Sequence, residues 1–385
     1  MMDADVIVVG GGVIGTAIAW RAAVAGNRVT LIDPDTDDKA SLVAAGMLGP
    51  VSESVFGEQD LLALNLHAID RFPAFNAELE AASGQPTGLR TEGTLAVAYD
   101  SGDLAALDRL TEFRHSIGLK AERLDARACR RLEPFLAPST RGGVLATGDL
   151  SVDNRRYLAA LRAAAAGAGV RTVVGYVTDV AAGLVRFRGT ADDGAASETA
   201  ELSAANVVLA AGWGTGRIEG VPDQIRKAIR PVKGQILRLR HPGNLPHIIS
   251  HTVRAIVQGR DIYLVPRADG ELVVGATQEE RDDRDITAGA VHDLLRDAMT
   301  AVPAISELIL AEASAGRRPG TSDNGPILGP VTPTGPAGAP RLIVAGGHYR
   351  NGVLLSAVTA DAVVALLADD QPHQAWTPFN PGRLT

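Results

Sequence analysis

The segment Val6-Ile7-Val8-Val9-Gly10-Gly11-Gly12-Val13-Ile14-Gly15 decides the fold of the N-terminal part of the chain. Its apolar, β-branched beginning predicts a buried strand. The alanine-rich stretch Val13–Ala25 predicts a helix that ends before Gly26, and Arg28–Ile32 predicts a second strand that closes on Asp33. Strand, glycine turn, helix, strand and acid together form a complete βαβ unit of the Rossmann type.

The spacing Gly10-x-Gly12-x-x-Gly15 is weak evidence by itself, because a glycine-rich turn needs no ligand. In this βαβ context, Gly10 permits the tight turn, Gly12 lets a pyrophosphate approach the helix N-terminus, and Gly15 allows close packing of helix on strand. Asp33, followed by Pro34, would accept hydrogen bonds from the ribose hydroxyls of an adenosine. No arginine follows closely to bind a 2′-phosphate, so we expect a dinucleotide other than NADP.

The βαβ unit does not distinguish FAD from NAD. No second complete unit with this spacing and a trailing acid occurs, which argues against a separate NAD(P)H site. The predicted strand end Leu209–Trp213 is rich in small residues, which indicates either close approach to a cofactor or simple packing against a helix. The small-residue stretch Ala44–Gly49 predicts a helix start, next to a flat ligand or tightly packed.

The loop Gly346–Gly352 joins a predicted strand to the last predicted helix, and its glycines are typical of a backbone that binds anions. Arg350 lies in this loop and Arg318 in another predicted loop. Two arginines converging from separate loops would hold a carboxylate by forked hydrogen bonds, and the hydroxyl of Tyr263 would add to them. The alternatives are a surface salt bridge for Arg350, a structural role for Arg318 and a core position for Tyr263.

The pattern of predicted elements indicates two interleaved domains. We predict an α/β plus α+β fold in which residues 1–84, 141–225 and 319–385 form a Rossmann-like cofactor domain. Residues 85–140 and 226–318 form a discontinuous antiparallel-sheet substrate domain. Its predicted meander comprises Val232–Leu239, Tyr263–Pro266 and Glu271–Gly275, and other predicted strands include Val170–Val174, Val177–Ala181 and Leu184–Arg188, with a surface loop at Pro330–Pro340.

Composition excludes several classes of protein. The 385 residues are 46% hydrophobic and 21% charged, which is typical of a globular chain and not of a disordered one. Cys129 is the only cysteine, so neither a disulfide framework nor a cysteine zinc site can form within the chain. The net charge of −8 and the lack of basic runs argue against nucleic-acid binding. We expect no metal site, no signal peptide, no membrane span and a cytoplasmic location.

In this order, the motifs resemble the D-amino-acid oxidase family of FAD enzymes, and most closely its glycine-oxidising branch in thiamine biosynthesis. The resemblance runs over nearly the whole chain. Besides the N-terminal glycines it rests on Ala44–Gly49, Pro231–Gly234, Tyr263–Arg267, Val273–Thr277, Arg318–Thr321 and Gly347–Gly352. The single motifs are unspecific, whereas the ordered set is specific for the family and less so for glycine.

The resemblance implies that FAD is the cofactor and that the substrate is a small amino acid. Tyr263, Arg318 and Arg350 would bind the substrate carboxylate, and no side chain would act as catalytic acid or base. The cofactor contacts predicted from the motif and the resemblance are Gly10, Gly12, Val13, Ile14, Gly15, Asp33, Pro34, Ser41, Ala45, Gly46, Met47, Val177, His348, Tyr349, Arg350, Asn351, Gly352, Val353 and Leu354.

The expected reaction is oxidative deamination of glycine or another small amino acid, by hydride transfer from the α-carbon to flavin N5. Oxygen would reoxidise the flavin and give hydrogen peroxide, and the imine would hydrolyse or enter thiamine thiazole synthesis. One residue departs from the glycine-oxidising pattern, because Gln278 stands where a methionine is expected near the substrate side chain.

Three alternatives stay open. The first is a D-amino-acid or sarcosine dehydrogenase that reduces a quinone or another acceptor, the second a non-catalytic flavin sensor, and the third an NAD-dependent dehydrogenase. The sequence leaves open whether the chain forms a homo-oligomer.

Overall fold

The computed structural model describes residues 2–190, 196–243, 247–331 and 339–384. Most of the predicted loop Pro330–Pro340 lies outside these ranges. The helices in the described ranges are α1 (Val13–Val24), α2 (Ala40–Val43), α3 (Gln59–Ser83), α4 (Ser101–Ser116), α5 (Ala126–Leu132), α6 (Asn154–Gly167), α7 (Asp223–Ala228), α8 (Ala288–Ala301) and α9 (Gly352–Leu367).

The strands are β1 (Ala4–Val9), β2 (Val29–Asp33), β3 (Met47–Leu48), β4 (Thr94–Ala98), β5 (Glu122–Asp125), β6 (Gly142–Ala146), β7 (Leu150–Ser151), β8 (Arg171–Ala181), β9 (Leu184–Thr190), β10 (Ala196–Leu209), β11 (Arg230–Arg240), β12 (Thr252–Val257), β13 (Arg260–Pro266), β14 (Glu271–Gly275), β15 (Ile309–Gly320), β16 (Ile327–Pro330) and β17 (Arg341–Gly346). They form a seven-stranded sheet, an eight-stranded sheet and the short pair β3–β7.

The seven-stranded sheet has a parallel centre, β8-β2-β1-β10-β17, which the chain builds from its N-terminal, middle and C-terminal segments. Helices α1, α3, α6 and α9 cover one face of this sheet. A ribbon of β8, β9 and β10 together with α7 covers the other face. The strands are therefore apolar on both faces. β16 adds an antiparallel edge. This burial on both faces is typical of α/β sheets.

Helix α1 lies unusually close to the turn after β1. A Cβ atom at residue 15 would overlap the carbonyl oxygen of Gly10, so only glycine allows this approach. Gly10 itself has φ +105°, and a Cβ there would lie 2.5 Å from the carbonyl oxygen of Ala210 at the end of β10. The two glycines therefore set the distance between the N-terminus of α1 and the ends of two parallel strands.

The eight-stranded sheet runs in the order β15-β11-β14-β13-β12-β4-β6-β5 and is antiparallel except where β12 meets β4. Successive residues of its strands alternate between two faces. Leu237, Leu264 and Val274 pack under α8, whereas Ile236 and Val273 face the segment that precedes β3. This second face points toward the seven-stranded part of the molecule and carries the candidate site described below.

The predicted α/β plus α+β fold class is confirmed, with local corrections. β11 pairs with β14 and not with β13, so the predicted meander order is wrong, and β12, which the sequence analysis missed, lies between β13 and β4. The two strands predicted at Val170–Val174 and Val177–Ala181 are one strand, β8, which changes its partner from β2 to β9 near Gly175. Pairing with β9 begins at the residue after the last one paired with β2, which keeps this strand extended.

The division into two domains at the predicted boundaries stays a prediction. β6, just after the predicted boundary at 140, pairs with β4 and β5 in the eight-stranded sheet, whereas the predicted boundary assigns it to the cofactor domain. Among the described helices, none combines the length and apolar character needed to cross a membrane.

We expect Gly15→Ala to lower the free energy of unfolding by about 1–3 kcal/mol, because the added methyl group must push α1 away from the Gly10 turn. The same displacement should reduce the FAD content of the purified protein. Urea unfolding and the ratio of visible to ultraviolet absorbance measure the two effects. Gly148→Ala is the matched control, since a Cβ there meets no atom within 4 Å. Equal behaviour of the two variants would contradict the packing argument.

Candidate cofactor and substrate site

A cavity of about 700 Å³ is lined by residues from both large sheets. One end is formed by the glycine turn after β1 and by the end of β2, and the other by β11, β12, β13 and β15. Ala44–Met47 lies along the middle. The volume falls within the range usual for small-molecule and cofactor sites.

The glycine-turn end of the cavity is built to accept an anion. Gly12 is the N-cap of α1 and offers no side-chain cap, and no acidic residue occupies the first turn. The Val13 N–H donates to Ser41 Oγ at 3.0 Å, while the helix dipole leaves this end partially positive. The arrangement therefore fits the pyrophosphate of a dinucleotide.

Asp33 lies beside this turn with a buried carboxylate. Its Oδ2 accepts from the Gly11 N–H at 2.6 Å, and its Oδ1 accepts from the Asp35 N–H at 2.8 Å. Lys39 Nζ lies 2.9 Å from the same Oδ1. Because a carboxylate has about four lone-pair positions, these three partners leave capacity for a ribose hydroxyl.

The Ala44–Gly49 stretch is not a helix start, contrary to the prediction. The short helix α2 ends at Val43, and Met47–Leu48 forms β3, which pairs with β7. Gly46 has φ +75°, and a Cβ there would overlap the carbonyl oxygen of Val152. Small residues are needed here because the backbone of residues 44–47 passes between Val152 and the cavity.

The loop before α9 is tied to the second sheet. Tyr349, at φ +45°, donates its N–H to the Pro319 carbonyl oxygen at 3.0 Å. His348 is buried and its Nε2 lies 3.0 Å from Thr359 Oγ1 of α9. Burial lowers the pKa of His348 to about 3, so this imidazole is neutral at working pH. The loop thus joins the start of α9 to the end of β15.

The opposite end of the cavity holds Arg318 and Tyr263. Arg318 lies on strand β15 and not in the predicted loop, and its Nη1 donates to the Thr277 carbonyl oxygen at 3.2 Å. A Cβ at Gly234 would overlap its guanidinium, and one at Gly275 would overlap the hydroxyl of Tyr263. Two glycines on neighbouring strands therefore make the room in which these side chains lie.

Arg350 lies on the wall of the same cavity, where its guanidinium has a different environment. Its side chain is 33% exposed, and Nη2 lies 3.4 Å from Oε2 of Glu58. Arg350 also lines a small neighbouring pocket that contains Glu58. An incoming carboxylate would have to compete with Glu58 for Arg350. Arg318 instead donates to the backbone carbonyls of Lys233 and Thr277 and interacts with the Tyr263 hydroxyl, and it forms no ion pair with a described carboxylate.

Most of the predicted site residues line this single cavity. These are Gly10, Gly12, Val13, Ile14, Asp33, Pro34, Ser41, Ala45, Gly46, Met47, Val177, Tyr263, Arg318, His348, Tyr349, Arg350, Gly352 and Val353. Gly15, Asn351 and Leu354 do not line it. Gly15 packs on Gly10, Asn351 is the buried N-cap of α9, and Leu354 lies in the core beneath that helix.

The cavity also contains residues that the sequence analysis did not select. Lys39 pairs with Asp33 at the glycine-turn end, and the Arg317 guanidinium lies 3.6 Å from the ring centre of Trp213. Glu53 and Arg254 form an ion pair of 2.8 Å near Tyr263. No motif marks these residues. The only sequence feature that pointed to any of them was the small-residue end of the apolar strand β10, which runs into Trp213.

The full-length comparisons agree on one family. A family model described as FAD dependent oxidoreductase matches residues 5–366. A bifunctional protein ThiO/ThiG of Trichormus variabilis is 31% identical over 100% of this chain and 55% of its own length. A glycine oxidase of Geobacillus kaustophilus is 33% identical over 98% of this chain and 96% of that protein.

A solved structure supports the same relationship. The crystal structure of glycine oxidase from Geobacillus kaustophilus superposes with a TM-score of 0.84 at 32% identity, covering 98% of each chain. The present chain spans about half the length of the bifunctional relatives that it matches.

We expect His348→Gln to flatten the acid side of the stability profile. The pKa of His348 is about 3 in the folded protein and about 6.5 in an unfolded chain. Between these values only the unfolded chain binds the proton, so stability falls as pH drops, by up to about 1.4 kcal/mol per pH unit.

Urea unfolding of the holoenzyme at pH 6.5, 5.5 and 4.5 measures this slope. The exposed His292→Gln variant is the control and should keep the wild-type slope. An unchanged slope in His348→Gln would show that other groups cause the acid sensitivity.

Proposed function

The chain belongs to the family of FAD-dependent oxidoreductases, and on that premise we propose that it oxidises the amine of glycine or another small amino acid with oxygen as electron acceptor. The observation that carries the proposal is one cavity that joins an anion-binding helix N-terminus to Arg318 and Tyr263. The names of the relatives, among them a glycine oxidase that matches over 96% of its length, support the same reaction.

The protein's own residues would mainly bind and orient the substrate. Arg318 would hold the carboxylate, Tyr263 would add its hydroxyl, and Arg350 would close the site once the carboxylate replaces Glu58. FAD, when bound, supplies an acceptor for the hydride that leaves the α-carbon. The glycine turn, Asp33 and the loop before α9 would hold this cofactor.

Among the described residues, no buried acid or base beside Tyr263 is free to take a proton, and Asp261, which also lines the cavity, is exposed. Glu53 is paired with Arg254, and burial raises the pKa of Tyr263. The substrate amine must therefore enter in its neutral form, which has the lone pair that assists loss of the hydride.

The fate of the product follows from its chemistry. The imine hydrolyses in water or is passed to a thiazole-forming enzyme, as the resemblance to the glycine-oxidising branch implies. Reoxidation by oxygen yields hydrogen peroxide, and the expected compartment is the cytoplasm. A dehydrogenase of D-amino acids or sarcosine that uses a quinone is the alternative.

Anaerobic mixing of the holoenzyme with single amino acids tests the reaction. We expect glycine and sarcosine to bleach the flavin absorbance near 450 nm more efficiently than bulky D-amino acids, and air to restore it with release of peroxide. Bleaching without reoxidation by air would support the dehydrogenase instead. If no amino acid bleaches the flavin, the chain is not an amine oxidase.

Replacing the arginines should separate substrate binding from cofactor binding. We expect Arg318→Ala to lower kcat/KM for glycine by about 10²–10⁴-fold, because a carboxylate in a closed site loses its charged partner. Arg350→Ala should lose less, since its side chain is one-third exposed and already balanced by Glu58. Both variants should keep stoichiometric FAD, and Arg318→Lys should recover only part of the activity. Wild-type kcat/KM in Arg318→Ala would show that the carboxylate binds elsewhere.

A further inference from the structure

Two arginines that the proposed reaction does not use lie beyond Tyr263. On the cavity face of the eight-stranded sheet, Arg254 of β12 stands directly opposite Tyr263 of β13, which stands opposite Gly275 of β14. The guanidinium of Arg318 lies over Gly234 of β11, on the far side of Tyr263. Arg254 is therefore one strand beyond Tyr263, in the direction away from Arg318.

Arg114 joins Arg254 through the backbone of one short segment. Arg254 Nη1 lies 2.8 Å from Oε1 of Glu53, while Arg114 Nη2 donates to the carbonyl oxygen of the adjacent Ser52 at 2.7 Å. Arg114 Nε donates to Ser54 Oγ at 3.2 Å. Residues Arg114, Arg254 and Glu53 all line the cavity.

The charge of this cluster is not balanced by its contacts. Glu53 neutralises Arg254, but no described carboxylate lies within ion-pair distance of Arg114, which is 3% exposed. Burial and the charge of Arg254 lower the pKa of Arg114 to about 10, which leaves it protonated at neutral pH. A buried arginine bound only by neutral oxygens leaves positive potential in the cavity.

The acidic groups nearby offset this potential only in part, because none of them forms a described ion pair with Arg114. Asp149 is buried and accepts hydrogen bonds from the Val51 and Ser52 N–H groups at 3.1 Å each, and burial raises its pKa. Asp261 lines the cavity but is exposed, where water screens its charge. The interior of this end thus favours an anion.

We propose that Arg114 and Arg254 form a second anion subsite and that the preferred substrate is a small amino acid with a second carboxylate. This inference rests on the proposed function, because it places the first carboxylate at Arg318. The polar Gln278 on the cavity wall suits such a substrate better than an apolar residue would.

The spacing of the sheet is compatible with this substrate class. Neighbouring strands lie about 4.8 Å apart, so Ile236 and Arg254, which stand in one row three strands apart, are separated by about 14 Å. Gly234 lies two residues along β11 from Ile236, which puts it about 16 Å from Arg254. Two carboxylates joined by two or three atoms lie about 4–5 Å apart. Each carboxylate needs a guanidinium about 4 Å away. The distance from one guanidinium to the other is then comparable with the separation of the backbone positions.

Matched substrates test the subsite in the holoenzyme. Iminodiacetate is compared with sarcosine, and D-aspartate with D-alanine, so that each pair differs by one carboxylate. We expect the diacid of at least one pair to have a kcat/KM at least tenfold above its partner, and the pair that responds shows whether the second carboxylate is on nitrogen or on the α-carbon. Succinate should likewise perturb the flavin spectrum at lower concentration than propionate.

Two substitutions with opposite expected effects exclude a general disturbance of the site. Arg254→Gln should lower the diacid preference about tenfold, whereas Glu53→Gln, which leaves Arg254 unneutralised, should raise it. Arg156→Gln, a surface arginine of α6 paired with Asp269, is the control and should change neither. Because the two variants should change the diacid preference in opposite directions, the test needs no Arg114 variant, which could fail to fold.

The outcomes separate this inference from the proposed function. If glycine is oxidised but diacids show no preference and the two variants leave the ratio unchanged, the second subsite is rejected and the proposed function stands. If succinate binds with the expected dependence on Arg254 and Glu53 but no amino acid bleaches the flavin, the anion subsite stands and the proposed function is rejected.

Discussion

Helix α1 rests on the turn after β1 through contact between backbones, and the geometry of the cavity follows from that contact. Because residue 15 has no side chain, α1 reaches Gly10 closely enough for its N-terminus to point at the end of the parallel sheet. A side chain there would move the helix and with it the N–H groups that favour an anion. The ends of β1, β2 and β10 then form one wall of the cavity, since they are adjacent in the sheet.

The second wall depends on the alternation of side chains along the eight-stranded sheet. One face is covered by α8, so the residues between those core positions lie on the opposite face, where Gly234, Ile236 and Tyr263 line the cavity. Glycine at positions 234 and 275 lets Arg318 and Tyr263 lie flat across the strands. The loop before α9 then connects the walls through the Tyr349–Pro319 hydrogen bond, which ties the residues proposed to hold the cofactor to those proposed to hold the substrate.

Charge is distributed unevenly along this frame. At the glycine-turn end, Asp33 is paired with Lys39, while the backbone of α1 supplies the positive potential. At the other end the positive charge comes from arginines whose partners differ, since Arg350 faces Glu58 and Arg318 faces carbonyl oxygens. Because an arginine in an ion pair and one bound by neutral groups respond differently to an incoming anion, we expect these local partners to matter more for anion binding than the number of arginines.

The sequence by itself determined the βαβ unit, the cofactor class and most of the cavity lining around the glycine turn. These features depend on short-range requirements, since the tight turn, the close helix packing and the acid at the end of β2 need particular residues at fixed spacings. The same reasoning identified Arg318, Arg350 and Tyr263 as candidates, although it placed Arg318 in a loop and Ala44–Gly49 at a helix start.

Only the tertiary structure decided which strands are neighbours and which side chains meet. β11 pairs with β14, β12 enters beside β13, and Arg254 thereby lies opposite Tyr263, 9 positions away in the chain. Glu53 and Arg114 reach the same place from distant segments. Strand order and long-range ion pairs depend on how whole faces are buried against each other, and no local spacing in the sequence encodes that choice.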